Sequence, residues 1–258
     1  MEIQEDTWLS EIFGHPVFKV VIRPAALMQD ESTSQVCLSI KRHTSQQSAS
    51  MYYSKVDTKE VEIVRQLSGA GLYVVDVNVT FSMCTAPPVT PPGYSEVPGL
   101  LIREIELSDH EETLEIAGSC FQYSRFHLDP LVSLSIANQI KHDWILNYIR
   151  QQRGERLFVA LVGEKPVGFL AVIATEMNRQ QTYAIDLIGV SRDFQKRGIG
   201  HALTAFFIKH YRERSDQLQV GTQAANIPSM RLYQKLGFQI SQTQYVMHGH
   251  VNHDCLTA

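Results

Sequence analysis

The sequence predicts an α/β (α+β) protein in two parts, a small α/β domain followed by a larger one built on a β-meander. Three observations predict it. In FSMCTAPPVTPPGYSEVPG, residues 81–99, stand Pro87, Pro88, Pro91, Pro92 and Pro98, half of the 10 prolines in the chain. Proline removes backbone donors and stiffens the chain toward polyproline II, so residues 83–99 are expected to form a linker between domains 1–82 and 100–258. On both sides of it, runs rich in β-branched residues alternate with amphipathic helical segments. Past the linker, the glycine-rich turn QKRGIG falls between an apolar strand and a helix.

Taken in order, VFKVVIRP (17–24) and LYVVDVNVTF (72–81) have the β-branched content of strands, and KEVEIVRQLSGAG (59–71) reads as an amphipathic helix stopped by glycine. Residues 27–52 are polar and serine-rich around QQSAS, which suits a loop or helix–loop. After the linker come the strand LIREIE (101–106), a helix from Ser108 through Phe121 and the aromatic loop CFQYSRFHLDP. A second helix is expected over 131–152. RLFVALVG, KPVGFLAVIATEM and TYAIDLIGV then read as three successive strands of a meander. The helix HALTAFFIKHYRERS, the strand LQVGTQ, the helix IPSMRLYQKLG and a closing pair of strands across 238–251 complete the chain.

Charge excludes one function class. Residues 1–100 hold 7 Lys+Arg against 11 Asp+Glu and residues 101–258 hold 16 of each, so neither part has the basic surplus of a nucleic-acid binder. No apolar run is long enough to span a bilayer, and MEIQEDTW lacks the basic flank and apolar core of a signal peptide. A cytoplasmic protein without a membrane partner is expected. Cys37, Cys84, Cys120 and Cys255 form no C-x-x-C pair, which predicts reduced thiols rather than a disulfide framework or a zinc site. His248 and His250 alternate and would share one strand face, but with His253 they have no acidic or cysteine partner at useful spacing other than Asp254 and Cys255. No metal is therefore expected.

Chemistry concentrates in DLIGVSRDFQKRGIGHAL. Glycines let a backbone approach a ligand closely, and a helix start offers unpaired N–H groups and a favourable dipole to an anion, so this turn suits a pyrophosphate. It has neither the Walker lysine pattern nor the Rossmann spacing. Together with AANIPSMRLYQKLGF about thirty residues later, QKRGIG resembles the GCN5-related N-acetyltransferase (GNAT) superfamily over residues 100–251.

That resemblance implies a mixed, mostly antiparallel central sheet and acetyl-CoA as donor. It implies that backbone amides from Gln195, Lys196, Arg197, Gly198, Ile199 and Gly200 to His201 bind the CoA pyrophosphate. Ile188, Gly189 and Val190 would pair with the pantetheine, and Asn226 would touch the CoA arm. Tyr233 would be the acid that protonates the leaving thiolate, since a phenol keeps its proton at neutral pH. Asp186 is the sequence candidate for the base because it shares strand parity with Ile188 and Val190. Asn226 also reads as the N-cap of a helix opening with Ile227 and Pro228, a use compatible with contacting CoA. Cys120 could be imagined as an acyl carrier, but a cysteine ending a helical stripe is more often packed, so direct transfer is preferred.

The acceptor is expected at the loop. Trp8, Phe13 and Gly14 with Phe121, Ser124, Arg125 and Phe126 resemble the acetyltransferases of dTDP-fucosamine, a nucleotide-linked 4-amino-4,6-dideoxygalactose. Tyr123 and Phe126 would stack on a base or sugar and Arg125 would pair with a diphosphate, while Phe121 would pack in the core. The first domain would shape the acceptor side or form a homodimer contact. A peptide or protein N-acetyltransferase and a non-catalytic acyl-CoA sensor are the rival functions.

Overall fold

The structure is a computed structural model describing residues 1–22, 33–46, 49–85, 97–177 and 180–252. Its elements in chain order are β1 (Glu2–Glu5), α1 (Thr7–Phe13), β2 (Val17–Val21), α2 (Thr33–Thr44), β3 (Ala49–Asp57), α3 (Val61–Gly69), β4 (Tyr73–Cys84) and β5 (Leu100–Glu104). Then follow α4 (His110–Ala117), α5 (Arg125–Leu128), α6 (Leu134–Ile149), β6 (Arg156–Val162), β7 (Lys165–Met177) and β8 (Gln180–Val190). The chain ends on α7 (Ile199–Tyr211), β9 (Gln217–Gln223), α8 (Ile227–Lys235) and β10 (Gln239–Asn252).

The chain divides into two compact units, and the division is not a single cut at the proline segment. Met1–Asn78, Arg125–Ile136 and the chain from Thr243 onward make the first unit; Val79–Ser124 and Ala137–Gln242 make the second. The expected boundaries therefore need correction: the loop at 125–136 and the end of β10 belong with the N-terminal residues. Most of the expected linker, residues 86–96, lies outside the described residues, as do His253, Asp254 and Cys255.

In the first unit the strands run β1-β2-β3-β10-β4. β3 is buried along most of its length, which explains why MYYSKVD reads without clear alternation. It was missed in the polar stretch around it, as were β1 and α1. The N-cap of α1 is Asp6, whose carboxylate accepts from the Leu9 N–H at 3.1 Å, and Gly14 closes the helix at φ 71°. Phe18, Tyr52, Leu67 and Met247 centre this unit's core. The expected closing pair of strands is one strand, β10, antiparallel to β3 from Gln244 opposite Asp57 to Asn252 opposite Ala49. Between residues 239 and 248 there is no glycine or proline to turn the chain.

In the second unit β6, β7 and β8 form the expected antiparallel meander, β5 adds to β6, and β9 joins β8 in parallel, giving a mixed and mostly antiparallel sheet. α7 lays Leu203, Phe207 and Tyr211 into a core shared with Phe158, Leu170 and Leu218. β7 pairs with β8 through an irregularity: Ala171 opposes Leu187 and Val172 opposes Ile185, so Asp186 is the extra residue of a β-bulge.

Candidate active site

The bulge sets the geometry that follows. β8 pairs with β9 only from Thr182 opposite Gln217 to Ile185 opposite Val220, and the ladder stops where Asp186 begins. Beyond it, the Ser191 N–H donates to the Val167 carbonyl at 2.9 Å, continuing the pairing of Gly168 with Val190 and Phe169 with Gly189. By alternation, the backbone groups of Gly189 face β7 while those of Ile188 and Val190 face the β9 side, where the ladder has ended. Ile188 and the N–H of Val190 thus present the free edge expected of a pantetheine-pairing strand, while the Val190 carbonyl is taken by the Gln195 side chain. Gly189 does not, and its lack of a side chain has another cause: a Cβ there would lie 2.6 Å from the Phe169 ring and 2.8 Å from the Cys120 sulfur.

The glycine turn follows directly. A 3-10 turn over Arg192–Phe194 leads to Gln195, Lys196 takes the left-handed conformation at φ 61°, and Gly198 does the same at φ 86° as the N-cap of α7. Gly198 has no side chain to cap the helix, so the first N–H groups of α7 at Ile199, Gly200 and His201 stay available to an anion. The Gln195 amide donates to the Val190 carbonyl at 3.1 Å, tying the turn to the strand end, and the Arg197 guanidinium lies over the Phe194 ring. Burial and the charge of Lys235 lower the pKa of His201. An open strand edge running into a donor-rich turn fits the pantetheine and diphosphate of CoA.

Asn226 caps α8: its side-chain oxygen accepts from the Ser229 N–H at 3.3 Å and its amide nitrogen donates to the Thr222 hydroxyl at 3.2 Å. Tyr233 on the same helix is buried, packed edge-on against Phe81 and Phe238. Burial raises its pKa, against a smaller lowering from a hydrogen bond with Ser229, so the phenol holds its proton. Cys120 is buried, and burial pushes its thiol up to about 12, which makes it a packed residue rather than an acyl carrier.

Asp186 corrects the sequence expectation for the base. One of its oxygens accepts from the Trp144 indole at 2.8 Å, the Tyr148 hydroxyl at 2.7 Å and Arg153 Nε at 2.7 Å; the other accepts from Arg153 Nη2 at 3.0 Å. Burial alone would raise its pKa, but Arg153 and Trp144 hold it below the ordinary carboxylate value. A carboxylate so engaged is a poor proton acceptor, and strand parity could not reveal the four donors.

The aromatic loop also departs from expectation. Tyr123, in the second unit, is exposed. In the first unit Phe126 is 2 % exposed and packs against Phe13 and His248, so it is a core residue. Phe121, expected in the core, is only partly buried, with the Lys141 ammonium over its ring. Arg125 is partly exposed, stacked between the Tyr53 ring at 4.1 Å and the Phe126 ring at 4.4 Å, with Nη1 3.5 Å from His248 Nε2. Burial lowers its pKa, with Tyr53 and Asp6 opposing.

Sequence reasoning missed a cluster in the first unit. Buried Asp129, from HLDP, accepts from His248 Nδ1 at 2.6 Å and His250 Nε2 at 2.9 Å on one oxygen. Its other oxygen accepts from the Tyr73 hydroxyl at 2.6 Å and the Leu131 N–H at 3.0 Å. The alternation of His248 and His250 was visible. Their acidic partner, about 120 residues earlier in the chain, was not.

The fold and the open-edged turn define an acetyltransferase architecture, and the family model described as the acetyltransferase (GNAT) family matches residues 111–238. The chain belongs to that family. Among curated relatives it is 28% identical over 144 residues to the spore coat polysaccharide biosynthesis protein SpsD of Bacillus subtilis, covering 55% of this chain and 48% of that protein. It is 31% identical over 113 residues to the uncharacterized N-acetyltransferase YvbK of the same organism, covering 43% of this chain and 69% of the relative. The chain thus spans about half the length of SpsD. A crystal structure of a GCN5-related N-acetyltransferase from Sphaerobacter thermophilus matches the fold with a TM-score of 0.62 at 14% identity, over 92% of this chain and 73% of that one. No helix among the described residues is long and apolar enough to cross a membrane.

Proposed function

We propose that the chain transfers an acetyl group from acetyl-CoA directly to a primary amine, in the cytoplasm, and that the amine belongs to a nucleotide-linked amino sugar. The observation that carries the reading is the strand edge at Ile188 and Val190, opened by the bulge at Asp186 and ending on the donor-rich turn 195–201. When bound, acetyl-CoA supplies an activated thioester. The amides from Gln195 to His201 bind and orient a diphosphate; Ile188 and Val190 offer backbone partners to an extended amide chain; Asn226 fixes the start of α8. Tyr233 holds a proton at its hydroxyl for the sulfur that leaves. For the acceptor, Arg125 is the cation suited to a phosphate, and Tyr123 the exposed ring suited to stacking. The sugar class is supported by the likeness to SpsD, whose name places it in polysaccharide biosynthesis.

The test is a thiol-release screen with acetyl-CoA against amino sugars, nucleotide-linked amino sugars, polyamines and peptides. Release with nucleotide-linked amino sugars is expected; release with peptides alone would make the chain a peptide N-acetyltransferase. CoA binding without release would make it a sensor. Arg125→Ala is expected to raise the Michaelis constant of the acceptor more than that of acetyl-CoA. A selective loss of donor affinity would place Arg125 with the donor instead.

A further inference from the structure

The bulge that opens the strand edge is held by side chains that no step above uses. Leu187 packs on the α6 side of the sheet, in the cluster with Ile145 and Tyr148. Regular alternation along β8 would send its neighbour Asp186 to the opposite, α7 side. Asp186 instead meets Trp144 and Tyr148 of α6, so two successive residues face the same way, as the extra residue of a bulge allows. A carboxylate taken out of water has to be hydrogen-bonded, and these donors exist only on the α6 side.

The segment that brings Arg153 to the same carboxylate is fixed by its backbone. After α6, Gln151 takes the left-handed conformation at φ 56° and the Gln152 N–H donates to the Asn147 carbonyl at 2.8 Å. The Arg153 guanidinium thereby comes to 4.4 Å from the centre of the Trp144 ring. Gly154 follows at φ 75°, where a Cβ would lie 2.0 Å from the Tyr148 ring, so that ring packs directly on the turn. One residue further the Glu155 N–H donates to the Val172 carbonyl at 2.7 Å. Val172 is the β7 residue at which the register shifts. The turn Gln151–Glu155 therefore grips both sides of the bulge, β7 through its backbone and β8 through Arg153. All of these residues belong to the second unit.

Resting on the acetyl-transfer reading, we propose that Arg153, with Tyr148 and Trp144, is a positioning residue for the donor. By holding Asp186 on the α6 side it keeps the bulge, and the bulge bends β8 away from β9 after Ile185. The free edge at Ile188 and the Val190 N–H, to which the pantetheine pairs, then depends on a clamp on the far side of the strand. The clamp acts through Asp186 and the backbone of β8, without touching CoA.

The test is calorimetry of CoA binding to the full chain. Arg153→Gln is expected to weaken CoA about 3- to 30-fold, Tyr148→Phe to weaken it less, and Arg153→Lys to recover part of the loss. With an amine that the thiol-release screen finds active, the Michaelis constant of acetyl-CoA should rise in step while that of the acceptor holds. Ile102→Ala, a truncation on β5 away from β8, is expected to lower the melting temperature and leave CoA affinity unchanged. Equal weakening of CoA by Ile102→Ala would reduce the effect to general softening and overturn the clamp. A folded Arg153→Gln with wild-type CoA affinity would overturn it too, while leaving acetyl transfer standing. Where Arg153→Gln does not fold, Tyr148→Phe decides alone, and unchanged affinity there overturns the proposal. Wild type that binds no CoA would remove the donor reading and the proposal with it.

Discussion

Acidification of His248 provides the most quantitative test of the first unit. Its pKa is lowered from 6.5 to about 4: burial is the largest cause, the charge of Arg125 facing the one nitrogen a second proton could take adds to it, and the hydrogen bond to Asp129 opposes both. In the unfolded chain the ring titrates near 6.5, so between pH 6.5 and about 4 the unfolded state binds a proton that the folded state refuses. Stability from this group is whole above pH 6.5 and falls by about 1.4 kcal/mol per pH unit as pH drops, a loss of about 3 kcal/mol near pH 4.5. Asp76 hides the effect in wild type. Burial raises its pKa to about 6, and one of its oxygens has no hydrogen-bond partner among the described residues, so it adds stability on acidification over an overlapping window. The measurement is therefore a difference. His248→Asn keeps an amide N–H for Asp129 and cannot titrate, and both proteins carry Asp76. Urea denaturation followed by circular dichroism from pH 8 to 4.5 should show wild type losing about 3 kcal/mol relative to the variant. A stability difference that does not change with pH would refute the assigned tautomer and the burial argument together.

Three further outcomes are expected. Tyr233→Phe should lower kcat about 100-fold while leaving CoA affinity, measured by calorimetry, nearly intact; unchanged turnover would leave Tyr233 a core residue only. Asp186→Asn should keep the acid limb of the pH–rate profile but lower thermal stability by about 1–3 kcal/mol, because Arg153 loses its ion-pair partner while staying partly exposed to water. Gly189→Ala should destabilise by about 1–3 kcal/mol in urea melts, since its Cβ would press on Phe169 and Cys120, and those atoms belong to the packed core rather than to a free edge.

What the sequence revealed was local. The turn Gln195–Gly200, the strand before it, the cap at Asn226 and the meander rest on patterns within about ten residues, and the structure contains each of them. Elements were missed where local pattern and environment disagree. β3 is buried on both faces and so loses its alternation, and β10 was broken in two because SQTQ is polar, although the strand continues through it into its pairing with β3 from Gln244 onward. Phe126 was assigned to the ligand although it packs against Phe13 and His248, because it lies in a new short helix and helical periodicity does not carry across the turn after α4. Asp129 was invisible as a partner because nothing in chain order links it to β10.

Asp186 and Asp129 show why parity along a strand cannot identify a base. Asp186 has the parity, yet two of its four hydrogen bonds come from Arg153, which keeps its proton under all ordinary conditions; the indole of Trp144 and the phenol of Tyr148 are hardly more labile. That carboxylate is a fixed charge neutralised by a fixed charge, suited to holding a bulge open. Asp129 also accepts four hydrogen bonds, but two come from imidazoles, each with a second nitrogen that can gain or lose a proton. Strand parity reports none of these donors, because they are assembled only by the fold.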